Sequence, residues 1–327
     1  MKEITYAEAV AEALDEEMIR DPNVFVLGED VGPYGGNFTT TKGLWDKHGE
    51  WRVKDTPISE AAIIGCALGA ALTGLRPVAE LMFSDFIPTA MDQIVNQVAK
   101  IRYMSGGQAT VPLVIRTPIG GGRSSAAQHS QSLQALLAHI PGLKIAMAAT
   151  AYEAKGLLKT AIRDDNPVVV FEHKMEYKNK FSIPDEEILI PFGVAAVKRE
   201  GKDVTVVATC SMANHSLKVA DVLAGEGIEL EVIDPRTIVP LDLDTIVESV
   251  KKTGRVVVVD EGHYTCGVAA EIAQRIMETA FDYLDAPIER VCTRQVPIPF
   301  SPPLEDYVVP GEEDIREAVY KTLNFRF

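Results

Sequence analysis

Three side chains of this 327-residue chain stand where their types and neighbours could do chemistry: Glu60, His129 and Glu29. Glu60 follows Asp55-Thr56-Pro57-Ile58-Ser59 and opens the apolar, small-residue run AAIIGCALGAALTGL. Pro57 stiffens the approach, and Ser59 is a suitable helix N-cap, so Glu60 is expected in a first helical turn. A carboxyl there is either a charge that favours the helix dipole or a group sealed at an apolar contact, where burial favours its neutral form. His129 lies in Ala126-Ala127-Gln128-His129-Ser130-Gln131-Ser132, directly after the glycine-rich stretch TPIGGGRSS at 117–125. It can reach a cavity as acid, base or anion donor, or it is an exposed histidine at a helix start. Glu29 follows the apolar stretch NVFVL and Gly28, at the end of an expected strand.

Other chemistries lack their signatures. No G-x-G-x-x-G occurs, because Gly120 and Gly122 are followed at the required position by Ser125; no phosphate-binding G-x-x-x-x-G-K-[ST] and no G-x-S-x-G occur either. Cys66, Cys210, Cys266 and Cys292 form no C-x-x-C pair, which fits reduced thiols and neither a disulfide frame nor a zinc site. The formal net charge of −15 disfavours nucleic acid and anionic membrane, and a basic protein partner would suit the chain better. The start MKEITYAEAV has no signal-peptide core, and the apolar run 61–75 is broken by glycines and shorter than the ~20 residues that span a bilayer. A soluble, cytoplasmic protein is expected.

The elements that position these residues alternate between strand and helix. Thr5-x-x-Glu8 is a capping box ahead of an amphipathic helix. Strands are expected at 23–27, 77–83, 111–116, 143–147 and 167–171, with helices from 60, over 85–103, over 128–139 and over 151–162. Residues 174–187, charged and proline-containing, read as a linker. A second α/β unit follows, with strands at 204–208, 230–233 and 255–259 and helices near 213–225, 243–252 and 267–280. VPIPFSPP at 296–303 is expected to be extended, because its four prolines exclude helix. Residues 313–323 close the chain as an amphipathic helix. The pattern gives two α/β domains, 1–185 and 186–327, each around a mostly parallel sheet.

Six motifs occur in order: D-T-P-I-S-E at 55–60, G-L-R-P-V-A-E-L-M-F-S-D-F at 74–86, D-Q-I-V-N-Q at 92–97, Y-M-S-G-G at 103–107, A-A-Q-H-S-Q-S at 126–132 and A-K-G-L-L-K-T-A-I-R-D-D-N-P at 154–167. With I-D-P-R-T at 233–237 and L-D-A-P at 284–287, essentially the whole chain resembles the beta subunit of the thiamine-diphosphate-dependent first component of 2-oxo acid dehydrogenase complexes. That family includes the pyruvate, branched-chain 2-oxo acid and acetoin enzymes.

The resemblance implies a transketolase-like pair of domains, the first binding the aminopyrimidine of thiamine diphosphate. It makes Glu60 the carboxyl that meets ring nitrogen N1′ and promotes loss of the C2 proton. Phe86 becomes the ring that stacks on the pyrimidine, with Ile58 and Met82 as apolar neighbours. His129 becomes the residue that handles the substrate or the incoming lipoyl group, and Glu29 a proton relay with the facing cofactor. Leu113, Ala161, Ile162, Asp164 and Asn166 match a potassium site built largely of backbone carbonyls. The chain has no G-D-G followed by paired asparagines, so magnesium and the diphosphate are expected from an alpha subunit, in an alpha2beta2 heterotetramer. The implied reaction passes through a C2 carbanion and delivers an acyl group to a lipoyl domain of the acyltransferase component. That component's basic peripheral-binding domain would meet Asp282, Asp285, Glu289 and the carboxylate of Phe327. A-A-Q-H-S-Q-S resembles pyruvate and acetoin members. The alternatives are a branched-chain beta subunit, a transketolase-type transfer enzyme and a non-catalytic docking scaffold.

Overall fold

The computed structural model describes residues 1–326, which form two compact units. The first comprises Met1–Ile119 and Leu136–Phe192; the second comprises Gly120–Ala135 and the chain from Gly193 onward. Phe327 lies outside the described residues.

In the first unit β1 (Lys2–Thr5) leads into α1 (Tyr6–Arg20), and Thr5 and Glu8 form the expected capping box. Then come β2 (Val24–Gly28), α2 (Leu44–His48), β3 (Val53–Asp55), α3 (Glu60–Leu72) and β4 (Arg76–Glu80). After α4 (Ile101–Met104) follow β5 (Val114–Ile119), α5 (Gln134–Ala138, its first two residues counted with the second unit), β6 (Lys144–Met147), α6 (Ala151–Arg163), β7 (Val168–His173) and β8 (Lys180–Ile183). Strands pair in parallel in the order β6-β7-β5-β4-β2-β3. Their near-continuous Val, Ile and Ala content is what a sheet covered on both faces demands. Tyr6, Leu14 and Met18 of α1 join Leu157 and Leu158 of α6 and Val26, Val78, Val114 and Val170 of the sheet in one core.

Three local expectations fail for physical reasons. The continuous helix over 85–103 is instead a 3-10 segment (Ser84–Ala90), a π-helical segment (Gln93–Val98) and the short α4. Pro88 has no N–H to give and crowds the preceding turn, so a regular α-helix cannot pass through it. The helix over 128–139 shrinks to Gln134–Ala138, and the chain ahead of it turns through left-handed residues at Gly120, Gly122, Ser124 and Ala126. Within the expected linker, β8 pairs antiparallel with β1, Lys2 opposite Ile183, and so closes the first unit.

The second unit holds β9 (Ala196–Arg199), β10 (Val204–Ala208), α7 (Ser211–Ala224), β11 (Leu230–Asp234), β12 (Thr237–Val239), α8 (Leu243–Thr253), β13 (Val256–His263), α9 (Val268–Ala280) and β14 (Glu289–Thr293). Its sheet runs β14-β13-β10-β11-β9, parallel except for the antiparallel edge strand β9. α10 (Pro302–Val308) and α11 (Glu312–Leu323) complete it. The extended reading of 296–303 therefore ends early: Pro302 and Pro303 begin a helix, where their missing N–H groups would be unpaired anyway.

One charge cluster lies inside the first sheet. Arg116 of β5 is 1% exposed and bonds Glu172 of β7 through two parallel contacts of 2.9 and 2.7 Å, while its other arm reaches Glu80 of β4. It also donates to Thr40 at 3.2 Å, and the buried Tyr177 hydroxyl donates to Glu172 at 2.7 Å. Burial and the neighbouring Glu172 push the Glu80 carboxyl up against the pull of Arg116, and burial drives the Tyr177 phenol well above its ordinary range. Replacing one partner leaves the others buried without a counter-charge. Arg116→Met is expected to destabilise the chain by about 3–5 kcal/mol, read by urea denaturation; a loss below about 1 kcal/mol would show that the cluster is not what ties the three strands.

Candidate active site

The carboxyl ends of β2, β3 and β4 meet at one edge of the first unit, and its candidate residues gather there. Gly28, the last residue of β2, is required by space: a Cβ would stand 2.8 Å from the Glu80 carbonyl oxygen. Its own carbonyl accepts from Thr56 N–H at 2.9 Å, while Asp55 accepts from Gly32 N–H at 2.6 Å. These bonds tie the ends of β2 and β3 and fix the start of α3. Glu29 follows immediately and is 8% exposed. Burial, then the charges of Glu60, Asp30 and Glu80, hold its carboxyl above the ordinary range.

Glu60 is the first residue of α3 and is buried, as the sequence leads one to expect. Ser59, however, makes no side-chain cap. The contact instead reaches Glu60 from Thr89, whose single hydroxyl proton is shared between Glu60 Oε2 at 3.1 Å and the Phe86 carbonyl at 2.7 Å. Oε1 accepts no hydrogen bond from the described residues, which leaves one oxygen for a ring nitrogen. Phe86 is half-buried and stands edge-on to Phe83 at 5.7 Å. Phe83 meets Phe38 in the same way at 5.7 Å, and Phe38 stacks on Tyr177 at 4.8 Å. The ring expected to cover a pyrimidine is thus the end of an aromatic chain anchored in the Arg116 cluster. Met82, four residues before Phe86, is half-buried, and Ile58 is 83% exposed. A buried carboxyl with an open oxygen beside a half-buried phenylalanine fits an aminopyrimidine.

The remaining candidates lie elsewhere. His129 belongs to Gly120–Ala135 of the second unit and is half-buried. Leu113, Ala161, Ile162, Asp164 and Asn166 gather between β5, α6 and β7. Arg76 donates to the Ile162 and Asp164 carbonyls at 2.9 and 2.8 Å, and Val168 N–H to the Leu113 carbonyl at 3.0 Å. Each carbonyl has a second lone pair, so a cation there would share acceptors with Arg76. Asp285 pairs with Arg255 at 3.3 Å and Glu289 with Lys321 at 2.8 Å, whereas Asp282 is exposed. All four cysteines are free, and burial pushes the Cys292 thiol up to about 12, which makes it no nucleophile. Among the described residues no group of three or more His, Cys, Asp or Glu is placed to hold a metal, and no helix is long and apolar enough to cross a membrane.

Sequence reasoning missed Thr89, Glu80, Arg116, Glu172 and Tyr177. The signal was a charged residue near the end of each apolar strand, in RPVAE, VIRTPI and VVVFEH.

Comparison with known proteins shows the family and the fold. Residues 2–180 match the family described as "Transketolase, pyrimidine binding domain", and residues 193–315 match "Transketolase, C-terminal domain". The chain is 50% identical over 319 residues to the pyruvate dehydrogenase E1 component subunit beta of Rickettsia felis, covering 98% of each. It is 49% identical over 325 residues to the beta subunit of acetoin:2,6-dichlorophenolindophenol oxidoreductase from Cupriavidus necator, covering 96% of each. The chain belongs to this family of beta subunits. The mitochondrial pyruvate dehydrogenase beta subunit of Bos taurus is 48% identical, over 98% of this chain and 91% of that one. Among solved structures, a split-gene transketolase described as an inactive beta4 tetramer superposes with a TM-score of 0.81 at 26% identity, over 99% of both chains. The two units of this chain each carry a mostly parallel sheet.

The raised Glu29 carboxyl has a measurable consequence. A folded-state value above the unfolded one means that the folded chain holds its proton more tightly, so stability falls as pH rises past about 4.3. Glu29→Gln removes that term. The variant is expected to match the parent near pH 4 and to exceed it in thermal midpoint at pH 7.5; a parent that is the more stable at pH 7.5 would contradict the burial argument.

Proposed function

We propose that this chain is the beta subunit of a thiamine-diphosphate-dependent pyruvate or acetoin dehydrogenase first component, working with an alpha subunit in an alpha2beta2 heterotetramer. The observation that carries this is Glu60: buried at the head of α3, held on one oxygen by Thr89, and beside the half-buried Phe86. When bound, thiamine diphosphate supplies a nucleophilic carbon that also accepts the electron pair released on decarboxylation or on acetoin cleavage. Glu60 would hold and exchange a proton at N1′ through Oε1, while Thr89 fixes its rotamer. Phe86 would cover one face of the pyrimidine, and Ile58 and Met82 would exclude water around it. Glu29, close enough for the Glu60 charge to raise its pKa, would serve as a proton relay with the facing cofactor. His129 would act where the substrate or the lipoyl group of the acyltransferase enters.

The alpha subunit would supply the magnesium and diphosphate ligands that this chain lacks. Two exposed features suit such a partner: Ile58, and the open face of α3 at Gly69, where a Cβ would meet nothing within 4 Å. The carbonyl cluster around Asp164 would take potassium alongside Arg76. The peripheral-binding domain of the acyltransferase would compete with Arg255 and Lys321 for Asp285 and Glu289. A cytoplasmic location accords with four free thiols.

Glu60→Gln is the test, since an amide cannot exchange a proton with N1′. Hydrogen–deuterium exchange at thiamine C2 in the assembled enzyme is expected to slow by about 10²–10⁴-fold, with subunit assembly retained. An unchanged rate would end the assignment. The same assay in KCl and in NaCl reads the cation: faster exchange or a higher thermal midpoint in KCl supports the site, and equality removes it.

A further inference from the structure

The backbone ahead of His129 turns through left-handed geometry at alternate positions, with φ of 101° at Gly120, 89° at Gly122, 51° at Ser124 and 60° at Ala126. Such alternation turns neighbouring N–H groups to one side and makes a concavity that attracts anions. Here the anions belong to the chain itself. Gly121 N–H donates to Glu261 Oε1 at 2.6 Å. Gly122 N–H donates to Glu305 Oε1 and Ser124 N–H to Glu305 Oε2, each at 2.8 Å. Both carboxylates are buried, Glu261 at 7% and Glu305 at 3% exposure. Beyond the histidine, the Gln134 amide donates to both oxygens of the fully buried Asp260 at 2.9 and 3.1 Å.

The holders are themselves held. Thr209 donates to Asp260 at 2.5 Å, Thr293 donates to the Glu261 carbonyl at 2.5 Å, and Glu305 lies within α10, its N–H on the Ser301 carbonyl at 2.8 Å. There is no slack in the contact: a Cβ on Gly121 would stand 2.9 Å from a Val309 methyl group and 3.4 Å from Glu305. Carboxylates from β13 and α10 therefore grip the segment on both sides of His129. Hydrogen bonds from N–H groups to carboxylates are among the stronger ones, and the Gly121 N–H, which is buried, would be costly to leave unpaired.

We propose that Glu305, seconded by Glu261, is a positioning residue that sets the place of His129 for acyl transfer to the lipoyl group. This rests on the role proposed for His129 above. Glu305 touches neither substrate nor cofactor. It acts by fixing the backbone five to seven residues before the histidine, and a misplacement of about 1 Å is enough to cost about 10²-fold in rate.

The test uses the assembled alpha–beta enzyme with Glu305→Ala, Glu305→Gln, His129→Ala and the Glu305→Ala/His129→Ala double variant. Each is followed by lipoyl-domain acylation, by thiamine C2 exchange and by amide hydrogen exchange. In Glu305→Ala the amides of Gly122 and Ser124 are expected to exchange at least ~10-fold faster, with acylation slowed by about 10²-fold and C2 exchange unchanged. Glu305→Gln keeps the volume but sets an NH₂ against one of the two N–H donors, so it should fall between, and it carries the comparison if the alanine variant does not assemble. In the double variant the Glu305 change should add little to the His129 loss. Wild-type acylation in both Glu305 variants beside a slow His129→Ala would overturn the positioning role alone, as would fully additive losses. Wild-type acylation in His129→Ala would overturn the reading of His129 on which this one stands.

Discussion

Arg116 is buried between the carboxylates of Glu80 and Glu172, and much of the first unit is arranged to make that tolerable. A guanidinium taken out of water must recover its hydration from its partners. It does so across three adjacent strands, β4, β5 and β7, with Thr40 and Tyr177 completing the set. The site inherits its rigidity from this cluster. Tyr177 stacks on Phe38, Phe38 meets Phe83, and Phe83 meets Phe86. On the other side, the Glu80 carbonyl packs so close to Gly28 that no side chain fits there, and Glu29 follows at once. Glu29, directly after β2, and Glu60, at the head of α3, are thus placed beside strands whose interior is locked by charge.

The same arrangement leaves an excess of negative charge. One guanidinium faces Glu80 and Glu172, and Glu80 in turn raises Glu29. Burial and these neighbouring carboxylates together favour the protonated form of Glu29. The carboxylates of the second unit are used differently. Glu261 and Glu305 accept backbone N–H groups and serve as fixed anchors for a strained segment. The two sets of carboxyls differ in what they face: other carboxylates around Glu29, N–H donors at Glu261 and Glu305.

Much of this was legible in the sequence, for reasons that can be named. The alternation of apolar strands and helices announced the parallel sheets, and Thr5 and Glu8 announced their capping box. Glu60 stood out because a carboxyl at the head of an all-apolar helix has few structural reasons to be there. What escaped was set by contacts distant in sequence. Thr89, not Ser59, bonds Glu60, because the 3-10 turn forced by Pro88 swings it back toward α3. The linker reading of 174–187 failed because β8 finds its partner in β1, which lies far back in the sequence. The clamp on 120–124 draws on Glu261 and Glu305, and nothing local distinguishes either of them from a surface acid.

The central claim is that this chain supplies the pyrimidine half of a thiamine site and lacks the diphosphate half. Calorimetric titration with thiamine diphosphate and magnesium tests it directly, using the purified chain, with its fold verified by circular dichroism, and the chain assembled with its alpha subunit. The account predicts weak, magnesium-independent binding by the chain alone and tight, magnesium-dependent binding by the assembly. Tight magnesium-dependent binding by the chain alone would contradict it.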